Sequence, residues 1–184
     1  MLGRIEKKIT ENLAEDLFGF RKNRGTREAI LCLRNIVEKS FRVNKKVHIA
    51  FVGLLKAFDN VNWKVMMKIL KMIKIDCRHR KIIREHYRHQ TTSIKIKESK
   101  RDAAIRKGVR QGCNISPFLF NIYIEQAINE CKEYCAWIKV NGVRIQMLSF
   151  ADGIAQGEIN LKRALESLDD ILKITTKWKL TGKK

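Results

Sequence analysis

Proline is almost missing from this chain: of 184 residues, only Pro117 is one. No low-complexity linker and no internal repeat divides the sequence, which reads as one domain's worth and is long enough to bury a real core. Long apolar runs are lacking too, and none reaches the length that crosses a bilayer. No apolar leader follows Met1, where Arg4, Glu6, Lys7 and Lys8 stand instead. The five cysteines (Cys32, Cys77, Cys113, Cys131, Cys135) are odd in number and irregularly spaced, so they outline no disulfide framework. These absences lead us to expect an intracellular protein, nuclear or cytoplasmic, with reduced thiols and no membrane partner. Cys131 and Cys135 stand one helical turn apart, but no second Cys or His pair follows them, so a structural zinc is not expected.

Acidic residues are scarce as well. Lys and Arg number 39 against 19 Asp and Glu, a formal net charge of +20, with a denser basic zone over 64–107. Any single basic run is ordinarily a solvated surface. A whole molecule so charged repels itself unless phosphates neutralise it, so a polyanionic partner is expected.

What is present is a patterned, foldable chain, 45% hydrophobic. Residues 4–17 read as a helix with Ile5, Ile9, Leu13 and Leu17 along one face, and Gly19 stops it. Arg21, Lys22, Arg24 and Arg27 surround Gly25 in a loop, after which Thr26 caps a helix to about residue 40. Residues 46–52 form an apolar strand. A helix over 62–74 turns Met66, Ile69, Leu70 and Ile73 inward, the methionines as core filler. The next, 78–88, sets His79, His86 and His89 on roughly one face; with no carboxylate in register, that face reads as solvated or phosphate-facing rather than metal-binding. Residues 91–97 and 103–109 look like paired strands with a charged turn between them. A long helix covers 117–134. Asn141-Gly142 makes a hairpin of the flanking segments, residues 147–150 and 154–156 flank a second tight hairpin, and a last helix covers 160–177.

Residues 108–117 read Gly-Val-Arg-Gln-Gly-Cys-Asn-Ile-Ser-Pro. A glycine-punctuated basic loop runs into a helix start, with Ser116 as a good N-cap and Pro117 at the first helical position, where its missing N–H costs nothing. Gly108 and Gly112 permit close backbone approach to a ligand, and a helix N-terminus favours anions. Taken alone, the stretch fits an ordinary helix cap behind a polar loop equally well.

It does not stand alone. Arg110 through Pro117 resembles the R-Q-G-C-P-L-S-P block of reverse transcriptases from non-LTR retrotransposons, with Asn114 for the usual proline and Ile115 for the usual leucine. Three more blocks resemble that family in the same order: residues 18–30, from Phe18 to Ile30; residues 50–59, ending in Phe58-Asp59; and Phe150-Ala-Asp-Gly153. The resemblance covers nearly the whole chain. It implies an α+β fold, a polymerase palm-like antiparallel sheet with helices packed on one face. It also implies partial fingers over about 1–45 and a palm over about 46–184, with thumb and endonuclease absent.

The resemblance implies a chemistry as well: template-directed DNA synthesis on RNA. Two Mg²⁺ ions about 3.5–4 Å apart serve such transfers, held by clustered carboxylates. The family places three aspartates there, one ending the first palm strand and two adjacent in the hairpin. Those positions here are Gly53, Asp152 and Gly153, so two carboxylates are gone. Asp152 is the retained catalytic and metal position, expected to bind Mg²⁺ weakly or not at all. Neither Asp59 nor Glu158 can be argued into a ligand position from spacing. One lost preorganised group commonly costs about 10²–10³ in rate. The resemblance also assigns Phe58, Gln111 and Gly112 to the incoming nucleotide, and Arg21, Lys22, Arg24, Arg27 and Arg110 to an RNA or DNA template–primer. The expectation is therefore a reverse transcriptase domain that is catalytically inactive. The alternatives are a basic nucleic-acid-binding module without catalysis and a weak residual nucleotidyltransferase.

Overall fold

A computed structural model describes residues 2–44, 49–54, 56–132, 138–140, 143–145, 147–150 and 153–157. Along the chain run α1 (Leu2–Thr10), α2 (Thr26–Arg42), β1 (Ile49–Gly53), α3 (Trp63–Met72), α4 (Cys77–Arg88), β2 (Thr91–Ile96), β3 (Ser99–Ala104), α5 (Ser116–Lys132), β4 (Ile138–Val140), β5 (Val143–Ile145), β6 (Met147–Phe150) and β7 (Gly153–Gly157). The architecture is α+β. The expected last helix, the Asn141-Gly142 turn, Cys135, Asp152 and Glu158 lie outside the described residues.

The central sheet has three strands in the order β1-β7-β6, all antiparallel. The first and the last of the described strands thus meet in one sheet. β4 pairs with β5 from Ile138↔Ile145 to Val140↔Val143, the register a two-residue turn dictates.

α5 is the spine. Leu119, Phe120, Ile122, Tyr123, Ile124, Ala127 and Ile128 are all buried, so it is apolar nearly all round, as a helix enclosed on several sides must be. Ile5 and Ile9 of α1, Met66, Ile69 and Leu70 of α3, Ile83 and Tyr87 of α4, and Met147 of β6 join it in one core cluster. A second, small cluster of Phe18, Ile36 and Leu148 packs α2 onto β6.

Four local expectations are corrected. The first helix ends at Thr10 rather than near residue 17. Segment 16–18 is taken up by the sheet edge instead: Phe18 N–H donates to Ser149 O at 2.8 Å and Ser149 N–H to Asp16 O at 3.0 Å. Leu13 and Leu17 are buried as expected, though not on a helix. Thr26 is the first helical residue, and Gly25 occupies the cap, with the Glu28 carboxylate accepting its N–H at 2.8 Å. Ser116 lies in the helix, its hydroxyl 3.1 Å from the Tyr87 hydroxyl in the core. β3 starts at Ser99 rather than 103, because Lys97, at φ 54°, turns the chain immediately after Ile96. Every residue of β2 is exposed, so no buried face marked this register in advance.

Candidate functional site

β1 and β7 bring two of the expected positions together: Gly53 and Gly153 are direct partners across the antiparallel pair. Phe150 of β6 is the other neighbour of Gly153. A strand end and a tight hairpin lie side by side here, the arrangement that can gather carboxylates at one point. Both described positions are glycine and offer no side-chain oxygen, so they do not fit a pair of divalent ions. Among the described residues, no group of three or more His, Cys, Asp or Glu side chains could hold a metal ion.

Beyond β1 the chain enters a short 3-10 turn, Phe58–Asn60, and this turn is laced to the 108–112 loop. Gly108 N–H donates to Val61 O and Val109 N–H to Phe58 O, each at 2.8 Å. The Trp63 indole N–H donates to Gly108 O at 2.6 Å, and Lys107 Nζ donates to Asn60 Oδ1 at 2.7 Å. Gly108, at φ 92°, leaves no room for a side chain: a Cβ there would come within 2.9 Å of Asp59 O. The expectation that both loop glycines admit a ligand is therefore split between them. Gly108 admits the protein's own turn, whereas Gly112, at φ 78°, faces open space. Arg110, Gln111 and Gly112 are exposed at the loop's tip.

Phe58 is half-buried and stacks on the buried Phe120 ring of α5, with centroids 4.4 Å apart and planes at 16°. Phe20, from the basic block, meets Phe58 edge-on at 5.8 Å. Phe20 and Lys56 are held at φ 53° and 51°, left-handed conformations that cost a non-glycine residue about 1–3 kcal/mol. Phe20 is nevertheless 45% exposed. Sequence reasoning missed Phe20, Trp63 and Phe120 as parts of this arrangement. The one signal available was the need for glycine at position 108.

The four cations of the basic block divide. Arg21 donates to Ala14 O at 2.6 Å and to Leu17 O at 3.3 Å, and burial pulls its guanidinium below the usual range. Arg24 binds the backbone carbonyl and the carboxylate of Glu15 and sits 5.8 Å from the Phe18 ring centroid. Its hydrogen bond holds the Glu15 carboxyl below the ordinary range. Arg21 and Arg24 thus fold the loop, while Lys22 and Arg27 are exposed. The histidine face of α4 also differs from expectation, because carboxylates are in register. His79 Nδ1 lies 3.1 Å from Asp76 and His89 Nε2 3.9 Å from Glu85, while His86 faces Cys113 Sγ at 3.8 Å.

Behind the site, Tyr123 accepts a hydrogen bond from Asn62 N–H at 3.3 Å, and burial pushes its hydroxyl up to about 12. Lower on α5, Lys132 Nζ lies 2.7 Å from Asp16 and 3.9 Å from the buried Glu125. Burial raises the Glu125 carboxyl, against the opposing pull of Lys132.

The family described as "Reverse transcriptase (RNA-dependent DNA polymerase)" matches residues 1–184. The retrovirus-related Pol polyprotein from type-1 retrotransposable element R2 of Nasonia vitripennis is 28% identical over 131 residues, 71% of this chain and 13% of that protein. Its counterpart in Popillia japonica is 26% identical over 151 residues, 77% of this chain and 20% of that protein. The chain thus spans 13–20% of the length of these relatives. The fold is similar to that of apo telomerase from Candida tropicalis truncated from its C-terminal domain, at a TM-score of 0.64 and 15% identity over 98% of this chain and 39% of that one. Telomerase from Candida albicans, in complex with a TWJ fragment of telomeric RNA, gives a TM-score of 0.62 and 13% identity over 98% of this chain and 35% of that one. The palm-like arrangement expected from the sequence is the arrangement these folds share with it.

Proposed function

The chain belongs to the reverse transcriptase family, and from that premise we propose that it is a reverse transcriptase palm with partial fingers, about 46–184 and 1–45, which keeps a nucleic-acid surface and has lost nucleotidyl transfer. The observation that carries this reading is the Gly53–Gly153 pair. These are two of the three positions where the family resemblance puts carboxylates, and they face each other at the strand ends. With both side chains missing, Asp152 is left to hold Mg²⁺ alone. Magnesium needs hard oxygen ligands in near-octahedral array, and one carboxylate is a poor start.

The retained surface is the other half of the proposal. Lys22, Arg27 and Arg110 are exposed cations for the phosphates of an RNA or DNA template–primer. Gln111 and Gly112 at the open loop tip, with Phe58 on its Phe120 support, are the nucleotide-facing groups. Arg21 and Arg24 act on this surface indirectly, by fixing the loop that presents Lys22 and Arg27.

Primer extension on an RNA template, with binding of the same template–primer followed by anisotropy, tests both halves. The expected outcome is binding that weakens steeply with salt, without extension above background in Mg²⁺ or Mn²⁺. Gly53→Asp with Gly153→Asp should raise metal affinity. Wild-type extension that Asp152→Ala abolishes would overturn the loss of catalysis, and the absence of binding at low salt would overturn the retained surface.

A further inference from the structure

Away from the loop and the strand ends, α3 and α4 enclose a cleft of about 640 Å³, a size typical of ligand pockets. Lys64, Lys68 and Lys71 line it from α3, and Arg80, Arg84 and Arg88 line it from α4. The spacings are i, i+4, i+7 on one helix and i, i+4, i+8 on the other. Each helix therefore presents a row of cations, with successive members about 4.5–6 Å apart along its axis. No Asp or Glu lines the cleft. Glu85 of α4 is spent on Arg88, at 3.7 Å, and on His89, and Asp76 on His79. Arg80 donates to Ile75 O at 2.9 Å, which steadies its guanidinium beside the cleft.

Like charges at i, i+4 destabilise a helix, and two such rows facing one cleft compound the repulsion. The remaining wall is apolar and aromatic: Trp63, Met67 and Tyr87. The Trp63 and Tyr87 rings lie 5.9 Å apart at 45°. Both are held by hydrogen bonds, the indole to Gly108 O and the phenol to Ser116; Tyr87 is buried and backs Trp63, which is half-buried with part of its surface open.

Cation rows beside a fixed, partly open indole form the combination that binds single-stranded nucleic acid, whose phosphates meet the charges while a base stacks on the ring. An acidic polypeptide would use the charges and leave the indole idle. We propose that the α3–α4 cleft is a second nucleic-acid site, specific for single strands and separate from the template–primer surface. It requires neither metal nor nucleotidyl transfer.

The probe is a fluorescein-labelled oligouridylate of about 12 nucleotides, within the range of such sites. Lys68→Gln/Lys71→Gln/Arg84→Gln should weaken binding roughly tenfold at low salt and reduce the salt slope by roughly two, about 0.7 per phosphate contact released. Lys95→Gln/Lys97→Gln/Arg101→Gln removes the same charge from exposed residues of the β2–β3 hairpin and should cost much less. Photocrosslinking of 5-iodouridine oligonucleotides to the wild-type chain should label Trp63, a readout that does not depend on any variant folding. Equal losses from the two triple variants, crosslinks confined to other elements, or displacement by polyglutamate as effective as by oligouridylate would each overturn the cleft site. If wild type binds and only the cleft variants behave as wild type, the template–primer reading stands and this one falls. If Lys22→Gln/Arg27→Gln has no effect while the cleft triple does, the reverse holds.

Discussion

Gly108 shows how one residue can be committed twice over. Its φ of 92° is left-handed, and the space a Cβ would need is filled by the Asp59 backbone. Gly108→Ala should therefore cost about 1–3 kcal/mol from conformation alone, and more as the Phe58–Asn60 turn is pushed away. Gly112→Ala meets only the conformational term, since nothing stands within 4 Å of its would-be Cβ. Urea unfolding of the two variants checks this, and equal destabilisation would contradict the close approach at Gly108. The same variant should lengthen the Trp63–Gly108 contact and alter the indole fluorescence. The residue-by-residue reading of Gly53 and Gly153 was available in the sequence. That they are direct partners was not, because 100 residues separate them and only strand pairing joins them.

Elements in this chain are set mostly by local chemistry. α3 begins where Asn62 Oδ1 accepts from Lys64 N–H at 2.9 Å and from Val65 N–H at 3.4 Å. It then buries Met66, Ile69 and Leu70 at helical spacing, as the periodicity predicted. Asn62→Ala should remove about 1 kcal/mol. Because the Asn62 backbone N–H also meets Tyr123, the loss falls on the cap and leaves that contact in place. Chemical denaturation monitored by far-UV circular dichroism checks it, and Asn62→Asp should restore most of the loss. Where local reading failed, a distant partner had intervened. Segment 16–18 left its helix for the edge of β6, and Ser116 turned from its expected cap to Tyr87.

On the scale of the whole molecule, the N-terminal third is fastened to α5 through a nearly dry charge cluster. Lys132 joins Asp16 and Glu125, the Arg21 guanidinium bears on both carboxylates, and Asn121 donates to Gly19 O at 2.8 Å. Burial raises the Glu125 carboxyl above its ordinary 4.5, with Asp16 adding to the rise and Lys132 opposing it. The native state thus holds that proton more tightly than the unfolded chain. Its contribution to stability is full below the ordinary glutamate range and is lost as pH rises through the folded value. Glu125→Gln removes this dependence, so the variant's melting temperature should gain on wild type between pH 4 and pH 8. A difference that is flat with pH would show that Glu125 is not held above its ordinary range. Lys132→Met, by contrast, removes the cation 2.7 Å from the part-buried Asp16 and beside the buried Glu125, and should cost about 1–3 kcal/mol.

The sequence by itself determined the family resemblance, the α+β class, the apolar stripe of α3 and the pairing of β4 with β5. All of these rest on patterns a few residues wide or on motifs read in order. No described helix is long and apolar enough to cross a membrane. Only the tertiary structure decided which cations of the basic block are exposed and which bind their own backbone, because Ala14, Leu17 and Glu15 become partners only once the chain leaves its helix. It alone brought Phe20, Phe58 and Phe120 into one aromatic cluster and laced Gly108 to the turn before α3. It alone set the two cation rows of α3 and α4 across one cleft. Charge and helical period were visible in the chain, but which faces meet depends on how the helices pack on the core.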